Sequence, residues 1–248
     1  MTQTATLEYQ SKHLGHRTRL AAVLPAIDVP RPWPVIYLLH GLSDDEKGWL
    51  NYTNLAGLHK ERPELKGIAL VLPDGGRGWY VDHETGPAWG THLTEEVTAV
   101  AESTFGLDGS RRAIAGNSMG GYGSLRVVLD EPDRWKAAAP FSGAFGVAQR
   151  DDPHPAFQPG EFRAIFGTDS KNTHRDVIAR LADVEHLPPL WIDCGVGDFC
   201  IEENRQVHAA LEARGIDHAY HEHEGRHDWN TWNRRLPDAL AFLAQHLA

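Results

Sequence analysis

The sequence predicts an α/β fold, in which one mostly parallel β-sheet carries helices on both faces. Short apolar runs recur along the 248 residues with helical stretches between them, which is the pattern of such a sheet. A Gly-x-Ser-x-Gly sequence also joins one apolar run to the helical stretch that follows it. Seven strands are predicted, over residues 19–24, 35–39, 68–72, 112–115, 137–141, 190–194 and 218–222.

Helices are predicted in many of the gaps between these strands. The first has its apolar residues on one stripe and spans residues 93–105. The others are predicted over residues 122–129, 202–214 and 236–247. Gly215 directly follows the helix predicted over residues 202–214, as a C-capping glycine would.

The chain is predicted to form a single domain over residues 1–248. Its 41% hydrophobic and 23% charged residues are typical of a globular protein, and its length suffices for one large core. The stretch 143–176 differs, because prolines and glycines interrupt any long element. We expect it to be an excursion over the top of the sheet, where loops carry binding surface.

Charge and composition exclude several classes of partner. The formal net charge of −10 and the pI of about 5.8 disfavour binding to nucleic acid or anionic membranes. The first twenty residues contain no apolar stretch of signal-peptide length, and no later segment approaches a membrane span. We therefore expect a soluble, cytoplasmic protein, and leave a homo-oligomer open. Cys194 and Cys200 are too few for a disulfide framework and are expected to be reduced.

Ser118 lies at the centre of the Gly-x-Ser-x-Gly sequence, with Gly116 and Gly120 on either side. This is the pattern of a nucleophile elbow, a sharp turn from strand to helix that projects the serine hydroxyl outward. Glycine is needed at both positions because a β-carbon would keep neighbouring chain segments from approaching closely. The sequence therefore predicts a nucleophilic serine.

A serine nucleophile needs a base within hydrogen-bond reach and an acid that orients the base. In hydrolase sheets the chain order is Ser, then Asp or Glu, then His, each in a loop after a strand. Asp198 and His227 follow predicted strands in this order and fall at the edge that carries Ser118. Asp193 lies inside its strand, and Asp228 adjoins the histidine, so both are weaker candidates for the acid.

Two other groups of polar residues could suggest a metal. His218, His221 and His223 precede His227, but no cysteine or carboxylate pair has zinc-site spacing, so solvated strand histidines are expected. The acidic cluster at residues 44–46 (Asp44, Asp45 and Glu46) is expected to be a solvated surface turn. No metal and no cofactor is predicted.

The oxyanion of acyl transfer needs two preorganised donors. The Met119 amide is one candidate, because it follows the serine at the start of a helix. The second is expected from the loop after the strand at 35–39, where Gly41 would turn the chain and aim the Leu42 amide. His40 is expected to support this loop rather than to act in catalysis.

Several motifs together resemble the putative esterase family of α/β-hydrolases, which includes esterase D, S-formylglutathione hydrolases, tributyrin-type carboxylesterases, feruloyl esterases and mycolyltransferases. The resemblance covers most of the chain. It rests on Leu39-His40-Gly41-Leu42 with Trp49 downstream, Pro73-Asp74-Gly75-Gly76, Ala115-Gly116-Asn117-Ser118-Met119-Gly120-Gly121, Ser142-Gly143, Asp193-Cys194-Gly195 with Asp198-Phe199, and Gly225-Arg226-His227-Asp228-Trp229.

The resemblance implies an α/β-hydrolase with Ser118 as nucleophile, Asp198 as acid and His227 as base, and with the Leu42 and Met119 amides in the oxyanion hole. It predicts a serine carboxylesterase that cleaves short-chain acyl esters, with aryl esters also open, through an acyl-enzyme. A thioesterase or an acyltransferase is the alternative. A non-catalytic binding protein on the same fold is a remote one, because its usual sign, a missing triad member, is not seen.

Subgroup features favour the esterase. S-formylglutathione hydrolases usually have Thr-Cys after the Gly-Leu of the oxyanion loop, where this chain has Ser43-Asp44. Mycolyltransferases are exported, whereas no export signal is recognised in this sequence. Aromatic residues near the elbow are candidates to line an acyl or aryl pocket, the alternative for each being a core ring beneath a loop. These residues are Trp49, Trp79, Tyr80, Trp89, Phe199 and Trp229.

Overall fold

Eight strands form one sheet in the computed structural model, which describes residues 2–150 and 155–248. They are β1 (Gln3–Gln10), β2 (Arg17–Leu24), β3 (Trp33–Leu39), β4 (Ala69–Pro73), β5 (Leu107–Asn117), β6 (Ala137–Phe141), β7 (Trp191–Gly195) and β8 (Ala219–His223). Their order across the sheet is β1-β2-β4-β3-β5-β6-β7-β8. β2 runs antiparallel to β1 and β4. The six strands β4, β3, β5, β6, β7 and β8 are parallel to one another.

Helices connect most of these strands. They are α1 (Gly48–Tyr52), α2 (Leu55–Glu61), α3 (Trp89–Thr91), α4 (Thr98–Phe105), α5 (Met119–Asp130), α6 (Glu161–Phe166), α7 (Val177–Arg180), α8 (Ile201–Ala213) and α9 (Trp229–Gln245). A π-helical turn, His92–Val97, joins α3 to α4, so the first predicted helix begins earlier than expected. No helix in the described part of the chain is both long enough and apolar enough to span a bilayer.

Each face of the sheet packs against its own core. Alternate residues of β3 point to opposite faces, so that Tyr37 belongs to one core and Ile36 to the other. α5 and α8 contribute buried side chains to the first core, and α1, α2 and α9 contribute to the second. This layered packing confirms the predicted α/β class.

All seven predicted strands are present, but β1 was not predicted. Its sequence is largely polar, and its residues alternate between exposed and partly buried because one face is open to solvent. Only Ala5, Leu7 and Tyr9 pack against the core. β1 is nevertheless paired with β2 along its full length, from Gln3 opposite Leu24 to Gln10 opposite Arg17.

The excursion at 143–176 packs against the loop that follows β4. Trp79 of that loop stacks on Phe157 with ring centroids 5.4 Å apart, and it contacts Phe166 edge-on. Arg77 donates two hydrogen bonds to Glu161, of 2.6 and 2.7 Å. These contacts hold the described part of the excursion at the carboxyl end of the sheet. Residues 151–154 lie outside the described part.

Candidate active site

Ser118 lies in a sharp turn between β5 and α5. Its φ of +55° is unusual for a residue with a side chain, and it marks a strained turn. A β-carbon at Gly116 would lie 2.5 Å from the backbone of Gly120, and one at Gly120 would overlap the carbonyl oxygen of Leu39. The two flanking glycines therefore let β3, β5 and α5 meet at the serine, as an elbow requires.

His227 lies between Ser118 and Asp198. Its Nε2 is 2.8 Å from Ser118 Oγ, and its Nδ1 is 2.8 and 2.9 Å from the two carboxylate oxygens of Asp198. Asp198 is only 3% exposed, and its Oδ1 also accepts a hydrogen bond from the Cys200 amide. Three side chains that are far apart in sequence thus form one hydrogen-bonded chain.

These contacts fix the tautomer of the imidazole. An ionised carboxylate only accepts hydrogen bonds, so Nδ1 of His227 carries the proton donated to Asp198. Nε2 is then left with a lone pair that accepts the Ser118 hydroxyl proton. This is the arrangement in which a histidine can act as a general base toward a serine.

Close packing of two loops brings Asp198 and His227 together. The loop after β7 carries Asp198, and the loop after β8 carries His227. A β-carbon at Gly195 would lie 2.5 Å from the backbone of Gly225, and the Gly197 amide donates to the Gly225 carbonyl at 2.9 Å. The sequence contains glycine on both sides of this contact because only then can the two backbones approach so closely.

The two rival carboxylates have other partners. Asp193 is buried, and its oxygens contact His223 Nε2 and Arg235 Nε, each at 2.7 Å. Asp228 caps α9 by accepting a hydrogen bond of 2.8 Å from the Thr231 amide. Both have structural contacts away from the imidazole that Asp198 contacts.

The Leu42 and Met119 amides lie on segments adjoining Ser118. A β-carbon at Gly41 would be 3.5 Å from Ser118 Cβ, so the loop after β3 packs directly on the elbow. Within residues 2–150 and 155–248, neither amide donates a hydrogen bond to another group. Both donors therefore remain available to an oxyanion.

His40 ties the loop after β3 to the loop after β4. It is buried, and its Nε2 accepts a hydrogen bond of 2.8 Å from the Gly75 amide. Its Nδ1 then donates to the Gly41 carbonyl, also at 2.8 Å. The Tyr80 hydroxyl donates to the His40 carbonyl at 3.1 Å. These contacts hold the backbone that leads into the Leu42 amide.

The acidic cluster at 44–46 is not the solvated turn that we predicted. Glu46 is only 2% exposed, and Asp44 is half-buried, although Asp45 is exposed. A β-carbon at Gly48 would lie 3.3 Å from Asp44 and 3.4 Å from the ring of Trp229, so the turn folds against the start of α9. Burial raises the pKa of Asp44.

Four of the six aromatic candidates pack as core rather than as pocket walls. Trp49, Trp79 and Tyr80 are 1 to 3% exposed, and Trp89 is 9% exposed, so they present almost no surface to a ligand. The Trp49 indole, for example, donates to the Leu39 carbonyl beneath the loop. These rings fill the space under the loops because the close glycine turns there leave room for them.

Phe199 and Trp229, on either side of His227 in the sequence, remain accessible. The Phe199 ring lies against the His227 imidazole, with centroids 4.0 Å apart and planes inclined by 35°. Trp229 is half-buried and stacks on the exposed Tyr52. Trp232 also contacts the imidazole edge-on at 5.1 Å and was not predicted. Trp232 lies in the first turn of α9, which begins seven residues before the predicted start of this helix.

The strand histidines have separate partners. His218 contacts His208, His221 lies on the ring of Trp191, and His223 contacts Asp193. Among the described residues, one group brings three candidate metal-ligand atoms together, namely Asp198, Cys200 and His227. Asp198 and His227 are hydrogen-bonded to each other, and burial raises the pKa of the Cys200 thiol.

The sheet and the position of the elbow define an α/β-hydrolase. The structure of an S-formylglutathione hydrolase from Staphylococcus aureus superposes with a TM-score of 0.87 and 25% identity, over 98% of this chain and 99% of that one. The fluorophosphonate-binding serine hydrolase F of the same organism also gives a TM-score of 0.87, at 24% identity and 98% coverage of both chains. The predicted α/β-hydrolase fold is confirmed.

Sequence comparison then gives the family. The family described as "Putative esterase" matches residues 11–243, and the chain belongs to it. An acetyl esterase from Caldicellulosiruptor saccharolyticus is 27% identical over 96% of this chain and 97% of its own length. The predicted family is therefore confirmed, and the chain is related to serine esterases and hydrolases along almost its whole length.

Proposed function

We propose that this protein is a serine carboxylesterase that hydrolyses short-chain acyl esters through an acyl-enzyme on Ser118. One observation carries the proposal: His227 contacts the Ser118 hydroxyl with one ring nitrogen and the buried Asp198 carboxylate with the other. A neutral serine is a weak nucleophile, and this contact supplies the base that it needs.

Acylation forms one bond and breaks one bond. Ser118 Oγ attacks the ester carbonyl carbon while His227 Nε2 takes the hydroxyl proton. The Leu42 and Met119 amides donate hydrogen bonds to the resulting oxyanion, and Asp198 stabilises the imidazolium. The tetrahedral intermediate then collapses, the C–O bond to the alcohol breaks, and the alcohol oxygen leaves with the proton held on Nε2.

Deacylation repeats these steps with water. His227 takes a proton from the water while the water oxygen attacks the acyl carbon. The imidazolium then returns that proton to Ser118 Oγ as the carboxylic acid product leaves. The products are a carboxylic acid and the regenerated serine. None of these steps requires a cofactor.

The short acyl group is proposed from the acetyl esterase relative, which is 27% identical to this chain over 96% of this chain.

Ser118→Ala tests the proposal directly. We expect kcat/KM for p-nitrophenyl acetate to fall by about a thousandfold or more, because the nucleophile is lost. Ser103→Ala is a matched control, since the hydroxyl of this exposed serine on α4 donates to carbonyls of its own helix. Both variants should melt near the wild-type temperature. Turnover retained in Ser118→Ala would refute the assignment.

A thioesterase is the second candidate, because the S-formylglutathione hydrolase structure is 25% identical over nearly the whole chain. The same triad would attack a thioester by the same steps, with a thiol as the leaving group. Comparing kcat/KM for S-formylglutathione and p-nitrophenyl acetate separates the two. Acyltransfer would appear as a new ester when an added alcohol competes with water for the acyl group.

A further inference from the structure

Phe199 is a large apolar side chain exposed beside the catalytic histidine. It is 69% exposed and is one of four large apolar residues that are exposed in the described part of the chain. Phe, unlike Lys or Glu, is more often buried than exposed. The exposed face of this ring is therefore available to a ligand.

The backbone of Phe199 is held in place on both sides. The Asp198 amide donates to the Gly195 carbonyl at 3.0 Å, and the Cys200 amide donates to the Asp198 carboxylate at 2.8 Å. Cys200 itself is fully buried. The ring thus projects from a fixed turn, with one face on the imidazole and the rest toward solvent.

The chemistry of the histidine determines which part of a substrate Phe199 can reach. When the acyl-enzyme forms, the alcohol oxygen must lie within hydrogen-bond distance of His227 Nε2, because it takes its proton from that atom. A ring centred 4.0 Å from the imidazole centre lies close to the first carbons attached to that oxygen. The carbonyl oxygen of the ester, in contrast, is directed toward the oxyanion donors.

We propose that Phe199 is a specificity-determining residue that favours esters with an apolar alcohol portion. The inference rests on the proposed esterase function and names the alcohol side of its substrate. An apolar alcohol chain would cover the exposed ring and remove both surfaces from water, whereas a polar chain would lose hydration without a partner there.

The test compares three acetate esters that form the same acetyl-enzyme: ethyl acetate, n-hexyl acetate and a polyether acetate of the same chain length. We expect the wild type to favour hexyl over polyether acetate in kcat/KM. In Phe199→Ala, the ratio of kcat/KM for hexyl acetate to that for ethyl acetate should fall about tenfold. Phe199→Leu, which restores apolar surface, should recover most of the ratio.

Ile27→Ala is the matched control, because Ile27 is also exposed and apolar but precedes β3, at the opposite end of the sheet from the triad. It should leave the ratio unchanged. A role limited to positioning the imidazole would slow all three esters by the same factor, and an unchanged ratio in Phe199→Ala would overturn the proposal. So would a wild type without preference for hexyl acetate. Failure of the wild type on every ester would instead refute the proposed function itself.

Discussion

Replacing Asp198 with Asn should abolish most activity without unfolding the protein. The carboxylate accepts hydrogen bonds from His227 Nδ1 and from the Cys200 amide. An asparagine has nearly the same shape and can place its oxygen toward the Cys200 amide. Its NH2 group then faces Nδ1 at the position of the second carboxylate oxygen, 2.9 Å away.

Oδ1 of the asparagine would stay 2.8 Å from Nδ1, but the NH2 group would oppose an Nδ1 proton at 2.9 Å, and the negative charge is lost, so the tautomer with the proton on Nε2 becomes favoured. Nδ1 would accept from the asparagine, and Nε2 would carry the proton. In that form Nε2 cannot take the Ser118 proton. A tautomer error of this kind costs about 10⁴-fold in rate in serine proteases, or about 5 kcal/mol of activation free energy, and we expect a loss of that order here.

The assay is kcat/KM for p-nitrophenyl acetate, together with the melting temperature of each variant. Asp228→Asn is the matched control, because asparagine caps a helix as well as aspartate does, and Asp228 contacts the Thr231 amide rather than the imidazole. The control should stay within about twofold of wild type. A loss of less than tenfold in a folded Asp198→Asn variant would refute the assignment of the acid.

Two further outcomes are expected. Gly120→Ala would force a β-carbon into a backbone carbonyl of β3, so the free energy of unfolding of this variant should fall by about 2 kcal/mol or more. Gly67→Ala is the control and should change the free energy of unfolding little, because the space around Gly67 is open. Equal denaturation midpoints for the two variants would be evidence against the close approach at Gly120. Burial raises the pKa of the Cys194 and Cys200 thiols and so keeps them protonated at pH 8. Iodoacetamide should therefore modify both thiols in guanidinium but neither in the native protein. Labelling of the native protein would count against their burial.

The sequence predicted the elbow and the loops of the site because their requirements are local. Ser118 needs small residues on either side whatever surrounds it, and the glycines at 116 and 120 are visible in the chain. The places of Asp198 and His227 followed from a general rule, that loops after parallel strands meet at one edge of the sheet. Neither inference required knowledge of side-chain packing.

Features that depend on tertiary packing could not be predicted in the same way. β1 is an edge strand with one face in solvent, so its polar sequence gives a weak strand signal. Glu46 lies in a run of acidic residues that is typical of a surface turn, yet the fold buries it. Trp79 and Phe199 both lie in loops near Ser118, but only the arrangement of neighbouring loops decides that one is core and the other exposed.

The start of α9 illustrates a third kind of difficulty. The predicted helix begins at residue 236, one residue before Pro237. The helix in fact begins at Trp229 and includes the proline, after a cap formed by Asp228. The misplaced start hid Trp232, whose ring contacts the imidazole and whose indole donates to Ser142 Oγ at 2.9 Å.

The account depends most on Ser118 being the nucleophile that His227 activates. Treating the protein with a fluorophosphonate and locating the adduct by peptide mass spectrometry measures this directly. We expect one adduct, on the peptide that contains Ser118, and labelling slowed by about a hundredfold or more in His227→Ala. An adduct on another residue, or unchanged labelling in the folded histidine variant, would contradict it.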